Sequence, residues 1–134
     1  MSAAPKRHIT AKEYLALERQ AAFKSEFYRG EMLAMAGAQY SHVLVLTNLI
    51  RLIGNQLEGT PCRALQNDMR TKTPRSGSYF YPDLIIVCGK PQFDDGVFDT
   101  LLNPQVIVEV LSESTERFDR GEKFDHYREI PSLK

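Results

Sequence analysis

Two short apolar runs, each interrupted by one carboxylate, constrain this chain more than any other feature. Residues 79–88 read YFYPDLIIVC and residues 106–112 read VIVEVLS. Runs of this length and composition are buried strands. Asp83 and Glu109 therefore stand in surroundings that oppose a lone charge. Such a group must be desolvated, paired, protonated or bound to a cation. Left ionised and alone, it costs several kcal/mol or more.

Two acids of this kind in one small sheet narrow the choice. If the two strands are neighbours, both side chains can point to one edge of the sheet. Two carboxylate oxygens plus water then suit a hard cation such as Mg2+ or Mn2+. The structural alternative is a buried ion pair, for instance with Arg70 or Lys72. Side-chain alternation puts Ile107, Glu109 and Leu111 on one face and Val106, Val108 and Val110 on the other. A residue acting beside Glu109 from its own strand would stand at 111. Leu111 is there, so a base or lysine must come from elsewhere.

The rest of the chain reads as a mixed α/β sheet with helices on its faces. Thr10 caps a first helix running to Glu18, with Glu13 completing a capping box. Residues 25–36 give two short strands around Arg29-Gly30. Residues 40–58 form the longest helix, with Val43, Leu46, Leu49, Ile50, Ile53 and Leu57 at helical spacing. Gly59 and Pro61 stop it. Residues 62–72 read as a strand, 74–78 as a loop, and 79–88 as a buried strand entered through Pro82. Residues 89–103 read as a long loop, 106–112 as a second buried strand, and 116–129 as a surface helix carrying Phe124 and Tyr127. An α/β domain often returns one more strand at that point, so the chain reads as shortened at its C-terminus.

The 134 residues suit one domain, 1–134, with one core. No run of about 18 apolar residues is present, so no membrane helix is expected. The start MSAAPKRHIT lacks the apolar segment of a secretory signal. Cys62 and Cys88 lie in unrelated contexts, and free thiols in a reducing cytoplasm are expected rather than a disulfide or zinc site. Net charge is zero, with 17 basic and 17 acidic residues, so the chain has no general attraction to polyanions. The charge is uneven: residues 1–75 carry a surplus of 5 positive charges and residues 76–134 a matching deficit. A local basic groove beside an acidic site remains compatible with that pattern.

Pro82-Asp83, followed by Glu109-Val110-Leu111, resembles the PD-(D/E)XK nuclease motif. The wider chain resembles the Uma2 family of restriction-endonuclease-like proteins. ITAKEYLALE, SEFYRGEMLAMAG, SHVLVLTNL, YPDLIIV and VIVEVLSEST…FDRGEKFDHY carry the likeness, in that order, from about residue 9 to residue 128. The resemblance implies a restriction-endonuclease-like core, a divalent metal and phosphodiester hydrolysis. It makes Asp83 and Glu109 the metal ligands and places Glu26 near the site. The motif lysine expected two residues after Glu109 is replaced by Leu111. Lys123 on the last helix is the residue matching a relocated lysine, and it shares a helix face with Asp119 and Tyr127. The resemblance also implies further strands after the last helix.

The leading expectation is thus a metal-dependent endonuclease acting on nucleic acid, chiefly double-stranded DNA. Asp83, Glu109, Glu26 and Lys123 would form its site in a cytoplasmic homodimer. The alternative is a catalytically impaired nuclease-fold protein that binds DNA or a protein partner. Among other residues, His42 could contact phosphate or help cap its helix, and Gln66 could face the site. Asp94, Asp95 and Asp99 lack EF-hand spacing and read as a solvated loop. Arg63, Arg70, Lys72 and Arg75 could track a phosphate backbone or merely confer solubility. Lys123 could alternatively make only a surface ion pair with Asp119.

Overall fold

The computed structural model describes residues 8–112, 118 and 120–134. The elements run α1 (Ala11–Glu18), β1 (Ser25–Tyr28), β2 (Glu31–Ala34), α2 (Tyr40–Leu57), β3 (Cys62–Leu65), β4 (Arg70–Lys72), β5 (Tyr79–Phe80), β6 (Leu84–Cys88), β7 (Thr100–Leu101), β8 (Val106–Val108) and α3 (Glu122–Tyr127). The mixed α/β architecture matches the sequence reading, but the strands divide between two sheets. One has the order β2-β1-β5-β4-β7, mixed because β4 and β7 run parallel. The other is antiparallel, in the order β3-β6-β8.

Two expected strands are each broken where the chain leaves one sheet for the other. Residues 62–72 divide into β3 and β4 around a turn at residues 66–69. There the Gln66 side-chain oxygen accepts from the Asp68 N–H at 2.7 Å. Gln66 thus shapes a turn and does not face the acids. Residues 79–88 divide into β5 and β6 at Pro82. Proline has no N–H to give a ladder, so the apolar run changes partners there. The expected loop 89–103 contains the short strand β7. Of the expected helix 116–129, the named element is α3; residues 113–117 and 119 lie outside the described set.

Local chemistry accounts for the other elements. In α1 the Thr10 hydroxyl accepts the Glu13 N–H at 3.1 Å, and the Glu13 carboxylate accepts the Thr10 N–H at 3.2 Å, completing the capping box. The β1–β2 hairpin turns through Arg29 and Gly30, with φ of 51° and 77°. Two successive left-handed residues match the twist of the strands. A Cβ on Gly30 would also sit 2.7 Å from His8 Nδ1.

Alternation in β5 sends its two aromatic rings to opposite faces. Tyr79 joins Tyr14, Leu15 and Phe27 under α1, while Phe80 joins Tyr28, Tyr127 and Ile130 under α3. Ile85, Val87 and Leu101 form the third apolar cluster, on β6 and β7. The long helix α2 packs on β3 and buries only Leu46 fully. Val43, expected on its apolar face, is exposed, because a three-stranded sheet of short strands covers little of an 18-residue helix.

The expectation of free thiols is corrected. Cys62 and Cys88 are direct cross-strand partners in the β3–β6 ladder and form a disulfide. A sequence separation of 26 hid this pairing, because register alone brings the two together. Closing such a loop stabilises by about 2–4 kcal/mol. Reduction with dithiothreitol should therefore lower the thermal midpoint by several degrees, and the Cys62→Ser/Cys88→Ser variant should be insensitive to the reductant. A wild-type midpoint that does not move on reduction would refute this role for the bridge.

Candidate active site

Asp83 and Glu109 meet at one end of the antiparallel sheet. Leu84 pairs with Val108 in the β6–β8 ladder. Asp83 immediately precedes β6 and Glu109 immediately follows β8, so the register sets them side by side. Neither lies inside a regular strand as the sequence suggested, because β8 ends at Val108.

The two acids close the end of the ladder. The Asp83 N–H donates to Glu109 Oε1 at 2.8 Å, and the Val110 N–H donates to Asp83 Oδ2 at 2.7 Å. Each carboxylate thereby spends one oxygen on backbone. The other two oxygens face side chains from elsewhere in the chain. Glu109 Oε2 lies 2.5 Å from Lys123 Nζ and accepts from the Tyr127 hydroxyl at 3.3 Å. Asp83 Oδ1 lies 3.6 Å from His42 Nε2, on the first turn of α2.

Lys123 ties Glu109 to a third acid. Its Nζ stands 3.2 Å from Oε2 of Glu26 on β1. The same Glu26 oxygen accepts the Tyr81 N–H at 2.8 Å, just before Pro82. Glu26 is 7% exposed and Lys123 5%, so this is a buried bridge. The reading of Lys123 as a surface ion pair is therefore corrected; Asp119 lies outside the described residues. Aromatic rings of Phe80, Phe118 and Tyr127 surround the ammonium within 6.0 Å, an arrangement that favours a cation. The helix and the turn after it are clipped to the loop that precedes β5. The Ser78 hydroxyl meets His126 Nδ1 at 2.8 Å, and Glu129 accepts the Ser76 N–H at 2.8 Å.

Burial pushes the Glu109 carboxyl up to about 7, against the opposing pull of Lys123 and of the Asp83 N–H; the neighbouring Asp83 charge adds to the rise. Tyr127 is the contact that sequence reasoning did not assign. Its signal was present, since it stands one helical turn after Lys123.

The remaining candidates lie elsewhere. Arg70 does not pair with Asp83. It is buried, donates to Tyr81 and Thr100 at 2.8 and 2.9 Å, and lies 2.9 Å from Asp99. Lys72 pairs with Asp94 at 3.3 Å. Neither is available to track a phosphate backbone. Arg63 on β3 donates to the backbone carbonyls of Thr60 and Cys62. Asp95 and Asp99 both bind Arg19, each at 2.8 Å, so the acidic loop is held by arginines.

The donor set fits a hard divalent cation of the Mg2+ kind. Two carboxylates are adjacent, and Asp83 Oδ1 accepts no hydrogen bond among the described residues. No cluster of three or more metal-binding side chains occurs among those residues. Mg2+ does not require one, because it commonly takes one or two carboxylates and fills its sphere with water and phosphate.

The chain shares its fold with a solved protein. It superposes on the crystal structure of a "putative nuclease belonging to DUF820" from Anabaena variabilis with a TM-score of 0.71 at 18% identity, over 88% of this chain and 66% of that one. The chain belongs to the Uma2 family, described as "Putative restriction endonuclease", whose model matches residues 11–134. Two relatives from Synechocystis are uncharacterized proteins. Protein sll1609 is 41% identical, with 99% of this chain and 75% of that protein covered. Protein slr1290 is 33% identical, with 97% and 67% covered. The chain thus spans two thirds to three quarters of these relatives, and just under two thirds of the solved neighbour.

The Glu109 environment gives a signed prediction. A carboxyl raised in the folded state holds a proton that the unfolded chain releases, so its contribution to stability is lost as pH rises from 4.5 to about 7. Wild type should lose more stability than Glu109→Gln across that window in urea titrations. Side-chain carbon NMR should place the Glu109 midpoint near 7 in wild type and higher in Lys123→Met. A midpoint in the ordinary glutamate range would contradict the burial argument.

Proposed function

We propose that this chain is a divalent-metal-dependent endonuclease that hydrolyses phosphodiester bonds in DNA. The observation that carries this reading is the buried Glu26–Lys123–Glu109 bridge beside Asp83 at one sheet end. It restores a lysine to two strand-end acids although Leu111 occupies the usual motif position.

Asp83 and Glu109 would hold Mg2+ or Mn2+. When bound, the ion lowers the pKa of a water molecule and polarises the scissile phosphate. The protein's own groups supply the rest. The reciprocal bonds through the Asp83 and Val110 N–H groups fix both carboxylates, so the site needs little rearrangement. Lys123 supplies positive charge beside the acids, where a phosphate would gain negative charge as it is attacked. Glu26 holds that ammonium from its far side and ties it to the backbone before Pro82. Tyr127 orients Glu109.

DNA is the substrate class favoured by family membership. A protomer with one such centre cuts one strand, so a double-strand break requires two copies, and a twofold homodimer is the simplest arrangement. Among the described residues no helix is long and apolar enough to cross a membrane. We assign the cytoplasm as its place of action. The Cys62–Cys88 bridge would be reducible there, and it contributes no atom to the site.

Supercoiled plasmid should be nicked in Mg2+ or Mn2+ and left intact in EDTA. Asp83→Ala and Glu109→Ala should each abolish detectable nicking. Lys123→Ala should slow it by about 10²-fold, the usual cost of one preorganised charge-stabilising donor. Nicking that persists in both acid variants would refute the assignment. DNA binding that is insensitive to chelators, without cleavage, would favour a binding module instead.

A further inference from the structure

The four carboxylate oxygens of Asp83 and Glu109 have distinct neighbours. Two accept backbone N–H groups, and Glu109 Oε2 meets Lys123 and Tyr127. The fourth, Asp83 Oδ1, faces only His42 among the described residues, at 3.6 Å. That separation is too long for a hydrogen bond. The His42 ring makes no hydrogen bond with any described residue, so Nε2 faces the open oxygen of the acid pair without bonding to it. The ring is not simply solvated, since its side chain is 22% exposed and that of Asp83 16%. Simple capping is ruled out as its task, since α2 has Gln39 at its N-cap and no side-chain cap bond.

We infer that His42 is a substrate-contacting residue of this site, whose Nε2–H donates to a non-bridging oxygen of the scissile DNA phosphate beside Asp83. The inference deepens the endonuclease reading and rests on it. A phosphodiester placed against two acids needs donors around it. Lys123 approaches from α3 through Glu109, and His42 approaches from α2 through Asp83. The two cation-capable groups thus reach the acid pair from separate helices and through separate oxygens. An ion pair with Asp83 alone would leave the ring 3.6 Å from its partner, beyond hydrogen-bond reach. A donor held near the acids and left unpaired is better explained by an acceptor that arrives with substrate. Phosphate oxygens are acceptors of that kind, and side-chain donors routinely position nucleic acid through them.

The test has one arm on rate and one on contact. Single-turnover nicking by His42→Ala should fall about 10²-fold, with duplex affinity changed far less. His42→Gln, which keeps an N–H donor, should recover part of the loss, while circular dichroism and the thermal midpoint stay at wild-type values. The second arm needs no turnover. The chain has three histidines, so imidazole nitrogen resonances can be assigned by single substitution. With Ca2+ in place of Mg2+, a short DNA duplex should shift the His42 Nε2 signal and leave that of His8 unmoved. Wild-type rates in a folded His42→Ala variant, or a His42 signal unchanged in duplex-saturated protein, would overturn the inference and leave the endonuclease reading standing. If wild type bound duplex and shifted His42 but never cleaved, the inference about His42 would survive as a phosphate contact while the endonuclease reading failed. Absence of duplex binding by wild type would overturn both.

Discussion

The exchange of backbone hydrogen bonds between Asp83 and Glu109 holds the candidate site together. Each acid accepts an N–H from the strand end that carries the other, at 2.8 and 2.7 Å. That exchange is available only because β6 and β8 are antiparallel with Leu84 opposite Val108. A slip of one residue would send the acids to opposite faces of the sheet. Register and chemistry are therefore one constraint here. The apolar residues Leu84, Ile85 and Val87 of β6 are buried and hold that register. Pro82 helps by ending β5 and releasing the chain into the second sheet at the residue before Asp83.

Burial alone would disfavour two adjacent carboxylates. Lys123 offsets part of that cost by bridging Glu109 to Glu26, and the aromatic surroundings keep its ammonium in place. Burial nevertheless keeps the Glu109 carboxyl near 7. A group balanced in this way responds strongly to any added positive charge. Two sheets and three separate helical or strand segments converge on the same few ångströms: β1 brings Glu26, α2 brings His42, and α3 brings Lys123 and Tyr127.

The acids were legible in the sequence because a carboxylate within an apolar strand is costly and therefore conspicuous. Lys123 was legible through the combination of Leu111 at the motif position and a matching lysine on the last helix. Glu26 was readable only through family resemblance, since an acid on a short strand needs no special explanation. The helix α1 and the hairpin followed from Thr10, Glu13 and Arg29-Gly30, where local chemistry decides structure. Division of the strands into two sheets was not legible, because 79–88 is apolar throughout and periodicity does not say when a strand changes partners. Proline at 82 was the one available clue. The Cys62–Cys88 bridge was hidden for a related reason, since cross-strand register is a property of the assembled sheet. The buried position of Arg70 was likewise set by Tyr81 and Thr100, which lie distant in the chain.

The central claim is that Asp83 and Glu109 form a working metal centre and not a purely structural clasp. Calorimetric titration of the apo protein with Mn2+ tests it most directly. Wild type should bind Mn2+ with a saturable heat, Asp83→Asn should lose that heat, and both should keep the same thermal midpoint without metal. Equal binding by the two proteins, or none by either, would contradict the claim.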